Sequence, residues 1–246
     1  MRLFWSGLRK LGRRAATLVT FGLLGGLLTL IILAVAVTGG GPGGGPGGGP
    51  GGGTGDGQSF DPLALVEFPG AYEFVLSFIL QLGGLFGLIY GAAIAGSEWS
   101  WGTLKAVVAR GESRIRYTLS TFGAICVVIT VGLLATFAIG VAAAAVGATI
   151  AGVPLDGMAD TGGLSPLPER FGRGLVGILA QGALGFAIAS LARSQLAGIG
   201  AGIGLYFGGT FATIFLPDVA LLLLTVWLVA SLVVAAGVTE RAEITG

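Results

Sequence analysis

The longest stretch of the chain that has neither a charged side chain nor a proline, residues 117–153, constrains the fold more than any other feature. Its 37 residues include no charged side chain and no proline. A helix needs roughly 20 apolar residues to cross the ~30 Å hydrocarbon core of a bilayer. The stretch therefore predicts a transmembrane helix, and the other apolar segments are interpreted on the same scale.

The same reasoning extends to most of the chain. Hydrophobic residues make up 54% of the sequence and charged residues only 10%, whereas soluble domains contain about 25% charged residues. We predict six transmembrane helices, at about residues 15–37, 71–96, 117–153, 174–191, 196–216 and 219–238. The predicted fold class is an all-α polytopic membrane protein, with residues 15–246 as one six-span transmembrane domain.

The stretch 117–153 has two possible topologies, one long helix or a hairpin of two shorter spans. The positive-inside rule does not separate them, because each places 11 of the 13 basic residues on the cytoplasmic side. A hairpin would use nearly all 37 residues for its spans and leave none for a turn. We therefore predict one tilted helix. Arg170 and Arg173 are then outside, and both termini of this multi-pass plasma-membrane protein are cytoplasmic.

Three segments near the N-terminus differ in composition. Residues 1–14 hold five basic residues among leucines and aromatics, which predicts a basic amphipathic segment on the cytoplasmic leaflet. The apolar run that follows could be a cleaved signal peptide, but its 23 residues exceed the roughly 7–15 of such peptides, so a span is favoured. Residues 38–58 are almost entirely glycine and proline, and we predict a disordered outer tether.

The residue types that are missing exclude several functions. The chain has no histidine and a single cysteine, Cys126, which excludes His-based metal sites, His general bases and intrachain disulfides. No phosphate-binding loop motif occurs. The interiors of the predicted spans hold no charged residue, since Glu73 lies close to an outer end, and this disfavours ion-coupled transport. Gln81 and Gln181 are predicted to form interhelical hydrogen bonds. We expect no enzymatic activity, no cofactor or metal bound by this chain and no nucleic-acid partner.

Two predicted spans carry glycines at a spacing of four residues. They are Gly83, Gly87 and Gly91 in the second span, and Gly198 and Gly202 in the fifth. Small residues at this spacing let two helix backbones approach closely. The partner helix can belong to the same chain or to a second subunit, and the sequence leaves both possibilities open.

A polar segment, residues 97–116, lies between the second and third predicted spans. Ser97 is suited to cap the start of a helix, and Gly111 is suited to end it. The apolar and charged side chains between them fall on opposite faces at helical spacing: Trp101, Leu104, Val107 and Val108 on one face, Glu98 and Lys105 on the other. We predict a short amphipathic helix over residues 98–110, at the membrane surface.

Several short motifs in the polar segments form a pattern with the predicted spans. They are Glu98 followed by Gly102-Thr103-Leu104-Lys105 and Ser113-Arg114; Leu8-Arg9-Lys10-Leu11 with Arg13-Arg14; and Ser190-Leu191-Ala192-Arg193-Ser194. Together with six spans and two outer loops, these motifs resemble ABC-2-type transporter permeases. The resemblance covers the chain except the glycine- and proline-rich tether.

The resemblance implies a function that the composition alone does not. Permeases of this family pair, as homodimers or heterodimers, and each docks a separate ATP-binding subunit that holds ATP and Mg²⁺. Residues 98–110 would then be the cytoplasmic coupling helix. Its expected coupling residues are Glu98, Trp101, Gly102, Thr103, Leu104, Lys105 and Arg114. The implied activity is export by alternating access, and the alternative is a non-transporting membrane scaffold that anchors a cytoplasmic partner.

Overall fold

The structure is a computed structural model that describes residues 2–12, 14–39, 62–103, 109, 111, 113–215, 226, 229–235 and 237. For residues 2–4, 6, 161 and 208–215 it describes the backbone alone. The predicted tether from residue 40 onward lies outside this part of the chain. So do Leu104, Lys105 and most of the predicted span 219–238, and these predictions stay predictions.

The described residues are almost entirely helical and contain no strand. The α-helices are α1 (Arg2–Gly12), α2 (Ala15–Gly39), α3 (Gly70–Ser100), α4 (Arg114–Ala151), α5 (Thr161–Leu164), α6 (Leu167–Ala192) and α7 (Gln195–Phe215). Short 3₁₀ turns occupy Pro62–Leu65 and Asp156–Ala159. Among the described residues, four helical stretches are long and apolar enough to cross a membrane: α2, α3, α4 and Gly162–Ala192. The described part of the chain thus has the helical architecture of a membrane-embedded protein, and the full count of six spans stays a prediction.

Helix α4 resolves the two topologies that the charge count left tied. It runs without interruption for 38 residues, which at 1.5 Å per residue is ~57 Å and well beyond the hydrocarbon core. Its end is a glycine turn: Gly152 has φ +73, and the amide of Val153 donates to the carbonyl of Ala148 at 2.9 Å. This is the hydrogen bond that closes a Schellman C-cap. The prediction of one long helix in place of a hairpin is confirmed.

The helices form two compact units. The first comprises residues 1–21, 80–133 and 172–246, and the second comprises residues 22–79 and 134–171. In the second unit, α2 buries Leu24, Leu28, Ile32 and Ala36 on one face. Gly140 and Gly147 of α4 pack against this face. The first apolar run is therefore a packed helix of the fold.

The first unit is held together by close contacts between glycines of α3 and α6. A Cβ atom on Gly91 would collide with the carbonyl oxygen of Gly182, while Gly83 and Gly87 lie against Ile178. Helix α7 follows the same principle: Gly198 lies against Ala189 and Gly202 lies against Leu88. The contacts of all five glycines predicted to pack are thus made within the chain.

Replacing Gly91 by alanine should destabilise the first unit, because the backbone of Gly182 leaves no room for a Cβ atom. Overpacking of this kind costs about 1–3 kcal/mol. Gly200→Ala is the matched control, since no described atom lies within 4 Å of a Cβ added there. Thermal unfolding of both variants in one detergent measures the difference. Equal midpoints for the two would contradict the packing described above.

Candidate functional site

The second long helix does not stop where the sequence suggested. Helix α3 continues to Ser100, so the amphipathic helix predicted to begin after a Ser97 cap is wrong at its start. The Ser97 hydroxyl donates to the carbonyl of Ile94 at 2.8 Å inside α3. The helix ends only at the turn of Trp101 and Gly102, where Gly102 has φ +62. The prediction failed because it treated Glu98 as a surface charge, whereas Glu98 has partners that allow it to be buried.

Glu98 is buried in the last turn of α3, with 7% of its surface exposed. Lys10 Nζ and Arg14 Nη2 each donate to Glu98 Oε1 at 3.0 Å. Tyr117 Oη donates to Glu98 Oε2 at 2.5 Å. A carboxylate is costly to bury unless its charge is paired and its oxygens accept hydrogen bonds. Here both conditions are met by α1, by the link between α1 and α2, and by α4.

Arg14 occupies the two-residue link between α1 and α2 and fixes it to the end of α3. Its Nη1 atom donates to Ser97 Oγ at 2.8 Å, and its guanidinium lies 4.9 Å from the ring centroid of Trp101. Stacking of this kind adds a cation–π attraction to the ion pair. In the first turn of α2, the hydroxyl of Thr17 adds a further contact with α3 through a 2.8 Å hydrogen bond to the hydroxyl of Tyr90.

A second arginine approaches the end of α3 from the link between α6 and α7. The guanidinium of Arg193 lies 5.0 Å from the ring centroid of Trp99, and Arg193 has φ +50, a backbone conformation that is uncommon outside glycine. Nearby, Gly96 leaves no room for a Cβ atom against the backbone of Gln195. Both tryptophans at the end of α3 thus carry a stacked arginine.

A cavity lies between the ends of α3, α4 and α6, beside Glu98. It is small and partly open, with a volume of about 20 Å³. Aromatic rings line it together with side-chain hydroxyls: Trp99 and Phe186, with Tyr117, Thr118, Thr121 and Ser190. The end of α3 is therefore held by polar contacts on one side and borders this small cavity on the other.

The predicted coupling residues fall into two groups. Glu98 is buried, whereas Trp101 is 68% exposed, and Gly102, Thr103 and Arg114 are half-buried. Arg14 joins Glu98 to Trp101, and Tyr117 lies one turn after Arg114 in α4. Leu104 and Lys105 lie outside the described residues.

Sequence reasoning missed the residues that hold Glu98. They are Lys10, Arg14, Ser97 and Tyr117, and the second stacked pair is Trp99 and Arg193. A signal for them exists in the charge distribution. Among the described residues of the first unit Glu98 is the only acid, so the cations of α1 have no other acidic partner there.

Charge is distributed unevenly between the two ends of the helices. Basic residues lie near the Glu98 end: Arg9, Lys10, Arg14, Arg114, Arg116 and Arg193. Near the opposite ends of α3, α4 and α6, five described acids outnumber two described bases: Glu67, Glu73, Asp156, Asp160 and Glu169, against Arg170 and Arg173. Glu73 forms a half-exposed ion pair with Arg170 at 2.6 Å. In the described part of the chain, no three acidic, histidine or cysteine side chains are grouped to hold a metal ion.

No protein-family model matches the chain, and no curated protein is similar to it in sequence. A function is therefore inferred from the sequence motifs and from the geometry around Glu98.

Replacing Glu98 by glutamine should destabilise the chain, because it leaves Lys10 and Arg14 without their counter-charge. Breaking a buried pair costs about 3–5 kcal/mol, and we expect about 3 kcal/mol because the Lys10 side chain is 41% exposed. Glu73→Gln is the matched control, since its pair with Arg170 is half-exposed and such pairs contribute about 0–1 kcal/mol. Denaturant unfolding in mixed micelles measures both. A loss at Glu98 no larger than that at Glu73 would contradict the burial argument.

Proposed function

We propose that the chain is the membrane permease subunit of an ATP-driven exporter of the ABC-2 type. In this proposal a separate subunit holds ATP and Mg²⁺ and acts on residues 101–113, and a second permease chain, identical or different, completes the transporter. The proposal is supported by the Gly102–Lys105 and Ser113-Arg114 motifs, and by the way in which Glu98 connects the segment to two long helices.

The observation that carries the proposal is the Glu98–Tyr117 hydrogen bond. Residues 101–113 leave α3 directly after Glu98 and enter α4 directly before Tyr117. The two helices are therefore joined at the base of the segment, at 2.5 Å. Because α3 and α4 are continuous helices of 31 and 38 residues joined at this point, a force on the segment would act on both together. This is the mechanical property that a coupling element needs.

The solvent exposure of Glu98 and of residues 101–113 indicates which of them a soluble partner can contact. Trp101, Ala109, Gly111 and Ser113 are exposed, so this segment offers side chains and backbone to a soluble partner. Glu98 is buried and has no surface to offer. We therefore assign docking to the exposed Trp101 and its half-buried neighbours Gly102 and Thr103, and assign transmission to Glu98. The resemblance to ABC-2-type permeases extends the docking assignment to Leu104, Lys105 and Arg114.

The uneven charge supports an orientation for the proposed permease. Cytoplasmic ends of membrane helices carry an excess of lysine and arginine, so the Glu98 end is assigned to the cytoplasm. With α4 as a single crossing and six spans in total, both termini are cytoplasmic and the membrane is the plasma membrane. Uncharged spans suit an amphipathic cargo better than a small ion.

The scaffold alternative rests on the same exposed segment. A membrane anchor for a cytoplasmic protein also needs an accessible polar loop held firmly to its helices. It does not need the loop to transmit movement, so the two functions differ in what happens when the Glu98–Tyr117 hydrogen bond is broken without removing the exposed residues.

Tyr117→Phe tests transmission directly. We expect the ATP-binding subunit to copurify with the variant but to lose about tenfold of its permease-stimulated ATP hydrolysis, since a hydrogen bond to a charged group contributes about 1.5–3 kcal/mol. Tyr72→Phe is the matched control: its hydroxyl donates to the Met158 carbonyl at 2.7 Å in the other unit. Equal stimulation in the two variants would contradict the coupling role. Copurification without any stimulation by the parent protein would favour the scaffold.

A further inference from the structure

At the Glu98 end of the first unit, the described basic residues outnumber the described acidic residues. Six described basic residues lie there with one described acid, and that acid is shared by Lys10 and Arg14. Arg9 is exposed next to Lys10 and forms no ion pair with a described residue. An exposed cation such as Arg9 attracts anions at a membrane boundary.

The position of these cations along the chain indicates the source of the anion. Arg14 immediately precedes α2, a candidate span, and Arg9 lies six residues before α2, near the end of α1. Basic residues next to the end of a span are placed to meet the phosphate groups of lipids. Helix α1 has the matching character, since it buries Leu11 and exposes Trp5 by 66%, and tryptophan is enriched at membrane interfaces.

Lys10 and Arg14 differ in how firmly they are held. The Arg14 side chain is 11% exposed and is bound by Glu98, Ser97 and the Trp101 ring. The Lys10 side chain is 41% exposed and has one described partner, Glu98. Exposed lysine pairs are weak, because a flexible ammonium exchanges readily between acceptors. Lys10 is therefore the partner of Glu98 that another anion can take.

We propose that Arg9 and Lys10 form a binding site for the phosphate of an anionic phospholipid, and that this lipid competes with Glu98 for Lys10. In a membrane without anionic lipid, Lys10 stays on Glu98. In an anionic membrane Lys10 turns to the lipid, and Arg14 and Tyr117 alone hold the carboxylate. The lipid composition then sets how firmly α1 is attached to the end of α3, whether or not the chain is a transporter.

The test uses the full chain alone, in nanodiscs of phosphatidylcholine with or without about 30% phosphatidylglycerol, a typical anionic surface. The measured quantity is the apparent affinity for phosphatidylglycerol, from native mass spectrometry or from the shift of the unfolding midpoint. Removing one cation by Arg9→Gln should weaken the affinity about fivefold. Arg173→Gln, which removes a cation at the opposite end of α6, should leave it unchanged.

Competition is tested by Glu98→Gln, which frees Lys10. The affinity for phosphatidylglycerol should rise about fivefold, and an unchanged or lower affinity in the folded variant would overturn the competition. If this variant does not fold, Lys10→Gln decides: it should weaken lipid binding as Arg9→Gln does, and parental affinity would overturn the site.

Inorganic phosphate at matched ionic strength should not displace the lipid; displacement would assign the site to a soluble anion. No part of the test depends on ATP or on a partner subunit.

Discussion

The arrangement of one end of this protein depends on a single carboxylate that is buried where a membrane helix ends. Burying a charge there is costly unless opposite charge and hydrogen-bond donors meet it. Glu98 meets Lys10, Arg14 and Tyr117, which come from different helices and an interhelical link. The contacts that compensate the buried charge of Glu98 therefore also hold three elements together: α1, the end of α3 and the start of α4.

A second constraint acts deeper in the same unit, where no ionic contact is available. There the helices approach through glycines, and Gly91 and Gly182 bring the backbones of α3 and α6 into contact. Close packing of backbones gains dispersion contacts without polar groups. The helices of this unit are thus held by close glycine contacts in their interior and by exchangeable polar contacts around Glu98. A regulated movement is easier at the polar contacts, because these can change partners.

The sequence predicted the features that depend on local chemistry. Helix α4 was predicted as one helix because residues 117–153 contain no turn signal, and the helix is continuous. The buried face of α2 could not be predicted, since this helix is apolar on all sides and only packing distinguishes Leu24 from the exposed Leu23. The end of α3 was placed too early because Glu98 was interpreted as a surface charge. Its partner Arg14 lies 84 positions away in sequence, and no local pattern shows such a contact.

The central claim is that Glu98 and Arg14 stabilise the fold as a pair. A double-mutant cycle of Arg14→Gln and Glu98→Gln, measured by denaturant unfolding, tests it most directly. Residues in one ion-pair network couple by about 0.5–3 kcal/mol, and the burial of both side chains predicts a value in the upper half of that range. Effects that add to within about 0.5 kcal/mol would show independent residues and contradict the account.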